Sequence, residues 1–120
     1  MSRWSCIRLR RSAAYVTMWC MPPEARLVRR IQDYIAKKGG RSFKIVGSDE
    51  GLQEAGIPDL LVCYRGFFIG LEVKQPGAEH TVRPRQKRVL KQIEESGGIA
   101  EVVSSVEQVA MILEVASRRR

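Results

Sequence analysis

The sequence predicts an α/β domain built on one mixed sheet, with element order α-β-β-β-α-β-α. Three observations carry that expectation. Runs with helical apolar spacing alternate with short β-rich runs, and glycine or proline punctuates most of the boundaries. The third is length: 120 residues hold one core but not two.

The elements follow in order. Residues 1–21 contain Arg3, Arg8, Arg10 and Arg11, no acid, and a short apolar stretch with no small-residue cleavage pattern after it. They are expected to form a dispensable or disordered basic extension, with Met18 or Met21 as alternative starts. The domain proper is expected over 22–117, followed by a basic tail, 118–120. From Glu24 to Lys38, Leu27, Val28, Ile31, Tyr34 and Ile35 keep helical spacing; Pro22-Pro23 open this helix and Gly39-Gly40 stop it. Ser42–Val46 alternates and reads as a strand, and the glycine- and acid-rich stretch 47–56 reads as a loop. Two strands follow, Pro58–Tyr64 and Phe67–Lys74, closed by Gln75-Pro76-Gly77. Pro84 opens a second helix with Val89, Leu90 and Ile93 on its buried stripe, and Gly97-Gly98 end it. Ile99–Val103 is a fourth strand. Ser105 and Gln108 make a capping box for a last helix carrying Val109, Ile112, Leu113 and Ala116.

Composition narrows the class. A hydrophobic share of 44% with 28% charged residues is ordinary for a soluble globular chain. No apolar run approaches the ~20 residues of a membrane helix, so no membrane partner is expected. The three cysteines are odd in number and widely spaced, which suits a reducing compartment better than a disulfide framework. One histidine and no paired CxxC argue against structural zinc. The net charge of +8 sits mostly at the two ends, so charge alone does not assign a polyanion partner.

The hairpin raises the chemical question. With Arg65-Gly66 as a two-residue turn, Leu60, Val62, Ile69, Leu71 and Val73 share one face, a complete core face. Asp59, Leu61, Cys63, Phe68, Gly70, Glu72 and Lys74 share the other, and this register sets Asp59 directly opposite Glu72. Like charges opposed across a ladder repel by ~0.2–1 kcal/mol. A divalent cation held between them would relieve this, and oxygen ligands suit Mg²⁺ or Mn²⁺. Gly70 would leave room above the sheet. The same pair is equally compatible with a solvated strand edge. Two polar residues at helix starts favour a shared site: Glu24 and Gln86 each head an apolar stripe expected to face the sheet. Alternative roles are helix-dipole complementarity for Glu24 and capping for Gln86.

Pro58-Asp59 followed by Glu72-Val73-Lys74 resembles the PD-(D/E)xK nuclease signature. The fuller set resembles the VRR-NUC family over residues 22 to 115: Glu24, Gly56-Ile57-Pro58-Asp59, Phe68-x-x-x-Glu72-Val73-Lys74, Gln86 and Gly97-Gly98. Arg83 departs from it, since members often place Ser or Thr before the proline that opens the Gln86 helix, and the departure removes a helix cap. The chain is similar in size to small stand-alone viral and bacterial members.

The resemblance implies a restriction-endonuclease-like fold and a metal-dependent DNA endonuclease acting in replication, recombination or repair. In some small members the enzyme is a homodimer that cuts branched DNA such as four-way junctions. It implies Asp59, Glu72 and the Val73 carbonyl as ligands of Mg²⁺ or Mn²⁺, with Glu24 bound directly or through water. Lys74 would orient or activate the attacking water, and Gln86 would position Lys74 or that water. No organic cofactor is implied. The location would be the cytoplasm of a bacterial or virus-infected cell, or the nucleus in a eukaryote. Arg83, Arg85, Lys87, Arg88 and Lys91 cluster on the following helix and could grip a DNA backbone, although a solvated face explains at least half of them. The rival readings are a non-catalytic nucleic-acid-binding module, an exonuclease acting on ends or flaps, and a structural or toxin-like protein whose acids merely face water.

Overall fold

The computed structural model describes residues 20–47, 51 and 53–119. Helix α1 (Pro23–Lys37) is followed by strands β1 (Arg41–Lys44), β2 (Leu60–Tyr64) and β3 (Phe67–Val73). A 3-10 turn (Glu79–Thr81), helix α2 (Pro84–Glu95), strand β4 (Ile99–Val103) and helix α3 (Val106–Arg118) complete the order. The sheet runs β1-β2-β3-β4, antiparallel across the first three strands and parallel between β3 and β4. It is the expected mixed sheet. Most of the expected extension, 1–19, lies outside the described residues.

The hairpin register is the one the alternation predicts, from Tyr64 against Phe67 to Leu60 against Leu71. Its turn places Arg65 at φ 50° and Gly66 at φ 83°. Two successive left-handed residues match the right-handed twist of the flanking strands, at some strain for the non-glycine Arg65. The Arg65 guanidinium lies over the Tyr64 ring, 5.6 Å from its centroid.

Leu60, Val62, Ile69, Leu71 and Val73 are all buried, on the face covered by α1 and α3. Ile31 and Ile35 of α1 and Val109 and Ala116 of α3 are fully buried in the same core. Truncating a residue such as Ile31 to alanine would cost about 2–5 kcal/mol, because so tight a core relaxes only partly around a cavity.

The opposite sheet face carries α2, seated against β3 and β4. A Cβ at Gly70 would stand 2.8 Å from Ile93 Cδ1 and 3.1 Å from Pro58 Cγ. The space expected to be open above Gly70 is therefore filled by the helix and by Pro58. Missing side-chain bulk brings α2 onto the sheet.

Four strand limits differ from expectation. β1 runs from Arg41 to Lys44, not from Ser42 to Val46, and β3 ends at Val73, not Lys74. β2 begins at Leu60, so no Asp59–Glu72 rung exists. At the other end, α3 continues through Arg118, which pairs with Glu114 one turn back. Ser105 Oγ accepts from the Gln108 N–H as predicted, but the Gln108 side chain reaches back to the Ser104 N–H instead. Cys63 is an exposed free thiol.

Candidate active site

The missing rung explains how the acids meet. In place of a backbone pair, the Asp59 carboxylate takes over the ladder: its Oδ2 accepts from the Val73 N–H at 3.0 Å. The Asp59 carbonyl meanwhile accepts from the Ile45 N–H at 2.9 Å, which ties the residue to the β1 side. Asp59 is thus fixed at both ends, with its carboxylate beside Glu72.

The approach to Asp59 is set by Gly56-Ile57-Pro58. Gly56 has φ +91°, and a Cβ there would stand 2.8 Å from the Arg85 carbonyl oxygen. Only glycine allows this loop to lie against the first turn of α2. Pro58 is buried over Gly70, and Asp59 follows at the mouth of the strand.

Glu72 is 2% exposed, a depth at which an isolated carboxylate would be costly. Its Oε1 accepts from Gln86 Nε2 at 2.8 Å and lies 3.9 Å from Lys74 Nζ. Its Oε2 is buried with no hydrogen-bond partner among the described residues. Burial, then the charge and close approach of the Asp59 carboxylate, push the Glu72 pKa from its ordinary 4.5 up to about 7. Lys74 opposes the shift without cancelling it.

Gln86 caps the helix and also reaches the site, where the partner it bonds is Glu72. Its Oε1 accepts from the Arg83 N–H at 2.8 Å while its Nε2 holds Glu72. Arg83 makes no side-chain cap, as its residue type predicts, so Gln86 alone supplies the reciprocal half of a capping box.

Glu24 is exposed in the first turn of α1, and among the described residues no group of three or more His, Cys, Asp or Glu side chains comes together. Burial along α1 falls from Ile31 and Ile35, fully enclosed, to Leu27 at 7%, so the next turn toward the start lies beyond the core. The Val73 side chain is wholly buried, leaving only its backbone to the site.

One neighbour was not anticipated. Lys44 Nζ lies 3.5 Å from Asp59 Oδ1. It arrives through the β1–β2 register, which pairs Lys44 with Leu60, the residue after Asp59. That register was the one signal available, and it depends on a strand some fifteen residues distant. Arg83, Arg85, Lys87 and Arg88 are exposed along the start of α2, as expected, while Lys91 is paired with Glu95.

Two carboxylates side by side, one with an unpartnered buried oxygen, form a hard, anionic donor set that a divalent cation fits. A lysine stands on either side of it. Fold and site together define a nuclease-type domain of the restriction-endonuclease-like class. A solved structure described as a VRR-NUC domain is similar over 76% of this chain and 94% of its own length, at 31% identity and a TM-score of 0.60. The chain belongs to the VRR-NUC family. No family model matches it, and no curated protein does.

Proposed function

We propose that the protein is a Mg²⁺- or Mn²⁺-dependent deoxyribonuclease that hydrolyses phosphodiester bonds, with branched DNA such as four-way junctions as its preferred substrate. The observation that carries the reading is the buried Glu72 carboxylate, pressed against Asp59 with Oε2 unpartnered. Asp59, Glu72 and the Val73 carbonyl would hold the cation. When bound, it would activate water near neutral pH and neutralise charge that develops on the phosphate.

The chain's own groups supply the rest. Gln86 fixes Glu72 in one rotamer through its amide. Lys74, four-fifths enclosed, sits where its ammonium can orient a water and steady the pentavalent phosphate without competing for the metal. The exposed cations at the start of α2 suit contacts to phosphates on either side of the bond being cut. The preference for branches, and a homodimer that would span them, rest on the family resemblance.

The decisive test compares wild type with Asp59→Ala and Glu72→Ala on single strands, flaps and four-way junctions, with Mg²⁺ and with chelator. Wild type should cut only with metal, junctions fastest, and both variants should be inactive yet folded. Equal slow cutting by wild type and Asp59→Ala would overturn the assignment.

A further inference from the structure

A cavity of about 380 Å³ opens on the sheet face that carries Glu72, between β3 and the second half of α2. Its floor is apolar, formed by Phe68, Val89 and Ile93, with Gln92, Ser96 and Glu54 around it. Phe68 remains 47% exposed. The Ser96 hydroxyl is already donated to the Gln92 carbonyl, which leaves the exposed Gln92 amide to meet a ligand.

We propose that this cavity receives an unpaired nucleobase of the substrate, stacked on Phe68, close to the bond that is cut. The inference rests on the nuclease reading of the Asp59–Glu72 site and deepens it by naming what the enzyme recognises. Phe68 and Glu72 lie on the same face of one strand, four residues apart, which separates them by roughly 13 Å. That is the reach of a few nucleotides along a strand. Arg85 and Arg88 are exposed on α2 over the same interval and provide positive charge for the intervening phosphates. A flat apolar floor with an amide beside it matches a base, which has a π-face to stack and a polar edge to pair. A fully paired duplex keeps its bases stacked inward and cannot fill the cavity. A branch point or a single strand offers a free base.

The test uses the full chain in excess chelator, so that nothing is cut. A single-stranded oligonucleotide carrying 2-aminopurine is titrated with protein and its fluorescence followed. Wild type should quench the probe. Phe68→Ala should abolish the quench and weaken single-strand binding roughly tenfold, while binding a fully paired duplex of the same sequence as wild type does. Phe68→Tyr should restore both properties, and Gln92→Ala should weaken single-strand binding with the quench retained. No quench with wild type, or equal weakening of duplex and single strand by Phe68→Ala, overturns the proposal. Failure of the nuclease reading would show separately, as cutting that survives Asp59→Ala while the quench persists.

Discussion

Gln86 donates to Glu72 across 2.8 Å while accepting from the Arg83 N–H at the same distance, so one amide joins the start of α2 to the buried carboxylate. Gln86→Ala should remove both bonds, destabilise the protein by about 1 kcal/mol and reduce cutting more than ten-fold. Gln86→Glu separates the two effects. It keeps the acceptor for Arg83 but sets a second carboxylate against Glu72, so α2 should survive while metal-dependent activity falls. Thermal melts beside single-turnover rates would distinguish them.

Stability without metal should depend on pH through Glu72. Its pKa is raised in the folded state, from 4.5 to about 7, so the native protein binds more protons than the unfolded chain in that interval. This contribution is fully present below about 4.5 and is lost as pH rises through 7. The melting temperature of chelated wild type should therefore fall from pH 5 to pH 8. Glu72→Gln should flatten that slope and melt higher than wild type at pH 8. A slope unchanged in Glu72→Gln would assign the effect elsewhere.

Gly56→Ala should be poorly tolerated although Gly56 is only partly buried. The residue needs φ +91°, and the added carbon would press on the backbone of Arg85, which cannot rotate away. A loss of about 1–3 kcal/mol is expected from the strained backbone. Shifting the loop also moves Asp59, so activity should fall further than stability does. Denaturant melts and cleavage rates on the same preparation would test both parts.

Lys44 should matter to activity and little to folding. Its pair with Asp59 is partly solvated, a geometry that contributes up to about 1 kcal/mol. Lys44→Ala should leave the melting temperature nearly unchanged, yet slow cleavage several-fold and shift metal affinity, because Asp59 Oδ1 loses its neighbouring positive charge. Titrating Mg²⁺ against cleavage rate in both proteins would reveal the change.

Local rules made much of this legible. Side-chain alternation and a two-residue turn are enough to place Leu60, Val62, Ile69, Leu71 and Val73 inside and to set Asp59 and Glu72 at the same end of the hairpin. Gln86 could be found because a polar residue at the head of an apolar stripe needs a partner. Features that depend on distant packing were not readable. Lys44 reaches Asp59 only through the pairing of β1, and Gly70 proved to be a seat for α2 where an open space was expected. Glu24 shows the limit of helical periodicity, which fixes an angular face but not how far along the helix the core extends. The Asp59 side chain took the place of a backbone rung, and no propensity rule anticipates that substitution.

The contact of Ile93 with bare backbone at Gly70 bears on how the molecule breathes. With no cushion of side chain between them, α2 and β3 have little freedom to separate by degrees. Their amide protons should exchange with solvent together, in one cooperative opening that also parts Gln86 from Glu72. The Glu72 carboxylate would then lose its partner and its shelter from water in the same event.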